Sequence, residues 1–376
     1  MKIVFLNSHP VSYFSKLYGY LEKKIDFEVW YCSKYGVKKH YDKQFNSYRF
    51  VKDLLDGFNY KFLFNLNPFS RAREKILDTL NPSILYELLK LKKGDIVISH
   101  GWSRLTMLFV LIFGRLYGIK VGLRGETPII HEKEHKGLKK IIRNLFLKFL
   151  FKRVDYFFYI GTHNRNFYLH HGVQKEKLIF MPYAVEPKNK ILKEKDKTNN
   201  IFFCGKLFDK KNPLDLLIAF SKMQNKNINL LFAGEGSQKD ELFDKAKSLK
   251  VSSRVKFLGL LNRQELDYWY DKIDLLVLPS GYGETWGLVV NEALEFNNPV
   301  IVSNRVGSSL DLCKGNGYIF ECNNIEDLTK KLNKIYSLSK KEFHSLRVES
   351  ANLKQKFSFK SIEENLLILT NSNAVK

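Results

Sequence analysis

Cysteine is scarce. Cys32, Cys204, Cys313 and Cys322 are the only four in 376 residues, far apart and with no CxxC pair. That spacing offers no zinc framework, and it reads as reduced cytosolic thiols rather than a disulfide scaffold. Long apolar runs are lacking too. The longest, Leu105 to Phe113, falls far short of the roughly 20 residues that span a bilayer, so any membrane contact is expected to be peripheral. The amino terminus carries only Ile3-Val4-Phe5-Leu6 before polar residues, without a small-residue cleavage site, which is not a secretory signal. No short-period repeat or low-complexity tract occurs. Acidic residues are outnumbered, 39 against 62 basic, leaving a net charge of +23. Such a surplus favours anionic partners: membrane lipid, nucleic acid or phosphorylated substrates. It is uneven, +16 over residues 1–187 and +7 over 188–376.

What remains is ordinary globular material, with 44% hydrophobic and 27% charged residues. This excludes disordered, collagen-like and coiled-coil classes, and the length suits two domains of roughly 150 residues. Strand, helix and strand alternate. Lys2–Leu6, Phe27–Cys32, Asp95–His100, Lys120–Leu123 and Val154–Ile160 read as buried strands, Phe14–Lys24 as a helix and Leu105–Tyr117 as a buried helix. Lys34–Leu80 is aromatic and basic and yields no register. Residues 187–200 (PKNKILKEKDKTNN) read as an interdomain linker. A second alternation follows, with strands at Asn200–Cys204, Asn229–Ala233, Val255–Leu258, Leu275–Pro279 and Pro299–Ser303. Helices are expected at Pro213–Lys222, Gln238–Leu249, Gln264–Tyr270, from near Trp286, at Glu326–Leu338 and at Ser361–Thr370. The expected fold class is α/β: two Rossmann-like doubly wound domains, 1–187 and 188–355, facing a central cleft. The remainder, 356–376, is a helix that could return to the first domain. Open parallel sheets bind ligands beyond their strand carboxyl ends, which puts the site in that cleft.

The most informative segment runs from Leu275 to Ala293. A buried strand runs into a Gly-rich loop, then a helix, over Ser280-Gly281-Tyr282-Gly283-Glu284-Thr285-Trp286-Gly287-Leu288; Glu284 sits in the loop and Glu292 about two turns into the helix. First-turn amides at Trp286, Gly287 and Leu288 would lack intrahelical partners and could take a phosphate. A carboxylate within the helix can accept both hydroxyls of a ribose, and one in the loop can hold sugar hydroxyls. A capped surface helix with incidental acids is the plain alternative.

This segment resembles the E-x7-E motif of retaining, family 4 glycosyltransferases of the GT-B fold. Four further blocks resemble that family in its order. They are Phe203-Cys204-Gly205-Lys206-Leu207 with Lys211 ("G-R-L…K"), Leu231-Phe232-Ala233-Gly234-Glu235-Gly236 ("G-x-G"), Val255-Lys256-Phe257-Leu258-Gly259 ("V-x-F-x-G") and Pro299 to Gly307. The likeness is strongest over about 200–310.

The resemblance implies a nucleotide-sugar donor, a UDP-sugar favoured, held by Gly205, Lys206, Lys211, Gly234, Gly236, Gly259, Glu284, Thr285, Trp286, Gly287, Leu288 and Glu292. Lys206 and Lys211 would face the diphosphate, whose charge grows as the glycosidic bond breaks. Lys206 stands where the family usually has Arg, and supplies charge without the bidentate fork. Gly234 and Gly236 would let the backbone approach the ligand, and Gly259 would lie by the base. Glu292 would hold the ribose and Glu284 the transferred sugar. Retention would follow a front-face mechanism with no cofactor and no metal, the cationic side chains doing a metal's work.

The first half departs from the pattern. Ser99-His100-Gly101-Trp102 and Arg124-Gly125-Glu126 follow strands where the family carries a histidine at the second position. His100 and Arg124 stand as candidates for catalysis, with Glu126 for hydroxyls; a core histidine and a structural ion pair are the alternatives. His163, after Ile160, is a weaker candidate. Residues 136–153 hold seven basic residues and no acid. Between them lie Leu138, Ile141, Ile142, Leu145, Phe146 and Phe149. A basic amphipathic helix reads as a membrane-surface element, and a core-packed helix with a solvated basic back is the alternative. No nucleic-acid-binding signature is present. The expected function is hexosyl transfer to a saccharide acceptor, lipid-linked and part of surface polysaccharide or glycoconjugate synthesis, at the inner, cytoplasmic face of an anionic membrane. The competing readings are a non-catalytic sugar-nucleotide or polysaccharide-binding subunit, and a GT-B epimerase or phosphorylase.

Overall fold

A computed structural model describes residues 1–37, 40–42, 47–49, 54–67, 76–134 and 137–372. The chain forms two compact units, Met1–Glu186 with Ser358–Lys376, and Pro187–Phe357.

The first unit contains β1 (Ile3–Asn7), β2 (Phe27–Tyr31), β3 (His40–Asp42), β4 (Ser47–Arg49), β5 (Tyr60–Phe62), β6 (Ile96–His100), β7 (Lys120–Arg124), β8 (Tyr156–Tyr159) and β9 (Leu178–Phe180). β3 and β4 pair by themselves. The other seven form one parallel sheet in the order β5-β2-β1-β6-β7-β8-β9. Ile3 to Leu6 are wholly buried, as befits a strand covered on both faces. Helices α1 (Ser12–Leu21), α2 (Ile84–Leu89), α3 (Leu105–Phe113), α4 (Gly137–Phe151) and α5 (Thr162–His170) complete the alternation. Right-handed crossovers put α3, α4 and α5 side by side on one face, where Leu111, Leu147, Leu150 and Phe167 share a core. The carboxyl-terminal helix Phe359–Ser372 belongs to this unit: Tyr20 donates to Glu363 at 2.7 Å, and its ring packs on Phe359.

The second unit contains β10 (Asn200–Cys204), β11 (Asn229–Ala233), β12 (Val255–Gly259), β13 (Leu275–Leu278), β14 (Val300–Ser303) and β15 (Gly317–Phe320). Its parallel sheet has the order β12-β11-β10-β13-β14-β15. Its helices are α6 (Pro213–Ser221), α7 (Lys239–Ser248), α8 (Arg263–Lys272), α9 (Leu288–Glu295), α10 (Ser309–Leu312), α11 (Ile325–Ser337) and α12 (Lys340–Lys356). The strand order reverses at β10, which has β11 on one side and β13 on the other. The loops after β10 and β13 therefore diverge at the switch point, where open α/β sheets take ligands.

Several expectations need correction. Leu105–Tyr117 is not one buried helix: α3 stops at Phe113, a 3₁₀ turn covers Gly114–Tyr117, and Leu116 is 82% exposed. α9 opens at Leu288 rather than Trp286, because Gly287 is left-handed at φ 90° and closes no helical turn. Glu292 is accordingly the fifth residue of the helix, not two turns in. Residues 187–199 carry no helix or strand, yet they are no loose tether. Lys197 Nζ donates to the carbonyls of Ile335, Tyr336 and Leu338, and Lys195 Nζ to those of Asp271 and Ile273. Two lysines thus satisfy the open carboxyl ends of α11 and α8. Much of Lys34–Leu80, and Lys136, lie outside the described residues.

Candidate active site

In the second unit, the loop after β10 bends over the loop after β11. A Cβ on Gly234 would fall 1.8 Å from Gly205 O, and one on Gly236 would fall 2.4 Å from Leu207 O. Both glycines are thus required by the backbone crossing of the neighbouring loop, which Leu207 N to Glu235 O and Gln238 N to Leu207 O close at 3.0 Å each. Gly259, at φ 69°, ends β12 and accepts from Gly234 N at 2.8 Å. The crossing holds Lys206 one residue past Gly205, its Nζ 5.9 Å from the Phe208 ring centre.

The same loop continues through a 3₁₀ turn (Asp209–Lys211) to Asn212, left-handed at φ 48°, and Pro213 then opens α6. Lys211 emerges from that turn and its Nζ pairs with Glu284 Oε2 in the loop after β13. Ser280 Oγ donates to the same oxygen at 3.1 Å. Glu284 is only 8% exposed. Gly281 N bonds Lys210 O at 2.8 Å, and Lys210 Nζ bonds Gly283 O at 3.0 Å, so the two loops are laced together. From the other side, a Cβ on Gly307 would lie 1.8 Å from Thr285 O, and Gly307 N donates to Glu284 O at 3.1 Å. Trp286 points inward: it is 2% exposed and its Nε1 donates to Asn291 Oδ1 at 2.7 Å. Only its backbone could meet a ligand. With α9 opening at Leu288, the amides without intrahelical acceptors begin at Leu288 and Val289.

Glu292 projects beside the end of β10. Its Oε1 accepts from Arg263 Nη1 at 2.7 Å and its Oε2 from the Tyr270 hydroxyl at 2.9 Å. Burial, with Glu292's charge next, pushes the Cys204 thiol up to about 12. Cys204 is therefore a neutral neighbour rather than a nucleophile. Arg263, Tyr270 and Ser280 were not visible in the sequence. Arg263 and Tyr270 act across a fold contact in no pattern that spacing could reveal, whereas Ser280 lies in the Gly-rich loop itself, four residues before Glu284.

In the first unit, His100 and Arg124 are register partners at the ends of β6 and β7. Arg124 is 1% exposed, and its guanidinium lies 4.9 Å from the Phe14 ring centre and 4.4 Å from that of Tyr183. Its Nη1 reaches Glu126 at 3.4 Å, whereas Nε and Nη2 have no protein acceptor. A buried donor left unpaired is costly. A cavity of about 380 Å³ lies beside the guanidinium, lined from His100 to Ser103 and from Arg124 to Thr127. Tyr183 also contacts Glu126, and Tyr13 stands 3.4 Å from the Tyr183 hydroxyl. Burial, with Glu126's charge next, pushes Tyr13 up to about 12, so both tyrosines are neutral donors. Both ring nitrogens of His100 are buried without protein partners. Burial, with Arg124's charge beside it, holds His100 well below the usual histidine range. His163 does not line this cavity and faces His131 instead.

Compared with known proteins, residues 185–349 match the family model described as glycosyl transferases group 1. The chain is 36% identical over 120 residues to an uncharacterized glycosyltransferase of Methanocaldococcus jannaschii, covering 32% of this chain and 30% of that one. It is 30% identical over 264 residues to a Campylobacter jejuni enzyme, covering 66% of this chain and 69% of that one. That enzyme is named GalNAc-alpha-(1->4)-GalNAc-alpha-(1->3)-diNAcBac-PP-undecaprenol alpha-1,4-N-acetyl-D-galactosaminyltransferase. The fold matches that of Anabaena Alr3699/HepE in complex with UDP, with a TM-score of 0.73 at 16% identity, over 99% of this chain and 100% of that one.

Proposed function

The chain belongs to the glycosyl transferases group 1 family, and from that premise we propose that it moves a hexose from a UDP-sugar to a lipid-linked saccharide with retention at the anomeric carbon. The observation that carries this reading is the contact of Lys211 with Glu284 at the switch point of the second sheet. It sets a cation and a sugar-binding carboxylate side by side, and Glu292 stands at the end of the neighbouring strand.

In this reading Glu292 takes the ribose hydroxyls and Lys206 and Lys211 face the diphosphate. Glu284 exchanges its contact with Lys211 for the hydroxyls of the transferred sugar. The bond between the anomeric carbon and the phosphate oxygen breaks, and negative charge collects on the leaving diphosphate, where the lysines oppose it in place of a metal ion. The acceptor hydroxyl bonds to the same face of that carbon, and its proton passes to the leaving phosphate oxygen. In the first unit, the Arg124 guanidinium and the Glu126 carboxylate are the groups assigned to hydroxyls of the acceptor saccharide, with neutral His100 beside them. Two neighbours support the choice of substrates: Alr3699/HepE is a UDP complex, and the Campylobacter enzyme is named for an acceptor on undecaprenol pyrophosphate.

A thermal-shift panel with UDP, GDP and ADP tests the donor site, because a ligand of the native state raises the melting temperature by mass action. UDP is expected to shift the wild type and to fail with Glu292→Ala. No shift with any nucleotide would refute the assignment. The anomeric configuration of the product, read by NMR, tests retention.

A further inference from the structure

Helix α4 has two apolar faces. Leu147, Leu150 and Phe151 are buried in the core it shares with α3 and α5. Leu138, Ile141, Ile142, Leu145, Phe146 and Phe149 are all exposed, from 37% at Phe146 to 70% at Leu138. At about 100° per residue the exposed set is centred roughly opposite the buried one. The stripe seen in the sequence is therefore not the side that packs on the sheet. It points away from it, as a row of large side chains along a helix about 22 Å long. Arg115 donates to Lys152 O at 3.3 Å, which brings the turn bearing exposed Leu116 alongside the end of α4. Isolated exposed apolar residues need no explanation, but a contiguous patch marks an interaction site.

The charge around the stripe selects the partner. Lys139 and Lys148 are exposed and flank it on its two sides, and Lys152 and Arg153 close its end. Residues 137–153 contain no acid. Two nearby carboxylates are paired: Glu132 with Arg143 at 2.8 Å and Asp155 with Arg115 at 2.7 Å. The described residues contain no helix long and apolar enough to cross a membrane. We infer that α4 lies in the plane of a bilayer leaflet rich in anionic lipid. Its stripe enters the acyl boundary and its lysines meet the phosphates. This deepens the reading of a lipid-linked acceptor and rests on it for its purpose, though not for its measurement.

The test is flotation of the full chain with phosphatidylcholine vesicles, with and without phosphatidylglycerol, in the absence of substrate. Binding is expected only with phosphatidylglycerol, and it should be lost in about 0.5 M salt. The double substitution Ile142→Glu with Leu145→Glu should weaken it at least about tenfold, since both side chains would leave the acyl boundary. Both positions are solvent-exposed, so the circular-dichroism melt and the UDP shift should match the wild type. Wild-type protein that ignores phosphatidylglycerol vesicles at low salt overturns the proposal, as does a double variant that binds like the wild type. A dimer in sedimentation equilibrium that the double variant abolishes would also overturn it, by giving the stripe to a second copy. Wild-type protein that binds no vesicles but still shows the UDP shift removes this proposal alone. Vesicle binding without any nucleotide shift removes the donor assignment instead.

Discussion

The hydroxyl of Tyr270, buried within α8, donates to Glu292 Oε2 at 2.9 Å. Arg263 holds the other oxygen from a position that is 40% exposed. The two contacts are not equivalent. A half-exposed ion pair is worth little, whereas a buried hydrogen bond to a charged group contributes substantially. Tyr270 is thus the residue that positions the carboxylate. Tyr270→Phe should weaken UDP binding about 5- to 20-fold, roughly 1–2 kcal/mol, with little change in turnover at saturation. Arg263→Ala should stay within about threefold of the wild type. Isothermal titration with UDP separates them, and equal losses would contradict this ranking.

Lys211 meets Glu284, and its proposed partner in the reaction is the diphosphate. Lys211→Met should lower kcat about 10²- to 10³-fold, the range for removing one donor to developing negative charge. KM for the donor should change far less. Steady-state kinetics decide, and a loss confined to KM would make Lys211 a binding group only.

Gly307 is required by the loop that carries Glu284. A Cβ there would lie 1.8 Å from Thr285 O, a backbone atom that no rotamer change can move aside. Gly307→Ala should destabilise the protein by about 1–3 kcal/mol and weaken donor binding with it. Urea unfolding and the UDP thermal shift measure the two effects, and an unchanged midpoint would show that the loop yields freely.

His100 makes stability depend on pH. Burial first, and the charge of Arg124 next, lower its folded pKa below the unfolded value, which is near 6.5. As the pH falls, the unfolded chain takes up this proton before the folded one does. The contribution is therefore level above about pH 7 and is lost below about 6.5, at up to about 1.4 kcal/mol per pH unit. His163 and His171 are shifted the same way by burial, so His100→Gln should flatten the slope only in part. Urea midpoints at three pH values check this, and a variant as steep as the wild type would remove His100 from the account.

Five of the six strands of the second sheet are legible in the sequence as short apolar runs, such as Leu275–Leu278, whereas the edge strand β15, Gly-Tyr-Ile-Phe, is too short an apolar run to stand out. The spacing of Lys206, Lys211, Glu284 and Glu292 is legible too, because each follows a strand end at a short fixed distance. Tyr13, Tyr183 and Tyr270 are not. They reach their partners across the fold, Tyr13 and Tyr183 meeting over 170 residues, and nothing local distinguishes them from other aromatics. α12 goes unseen because its inward side is mostly polar: Phe343, Arg347 and Ser350 are its buried residues and Leu346 packs beside them, too few apolar positions for a period. The stripe on α4 is visible but ambiguous. A periodic apolar face looks the same whether it meets a sheet or a lipid, and only the burial of Leu147, Leu150 and Phe151 tells them apart.

The lysines of residues 187–199 change what that segment means for anyone who alters it. A polar stretch between two cores is commonly treated as a spacer, defined by its reach and open to exchange for glycine and serine. Lys195 and Lys197 make it a clasp. An exchange of equal length would keep the reach and take the lysine donors from five carbonyls at the ends of α8 and α11, of which Ile335 O would keep only Leu338 N at 3.4 Å. The damage would surface in the melting of the second unit, in a segment that touches none of its chemistry.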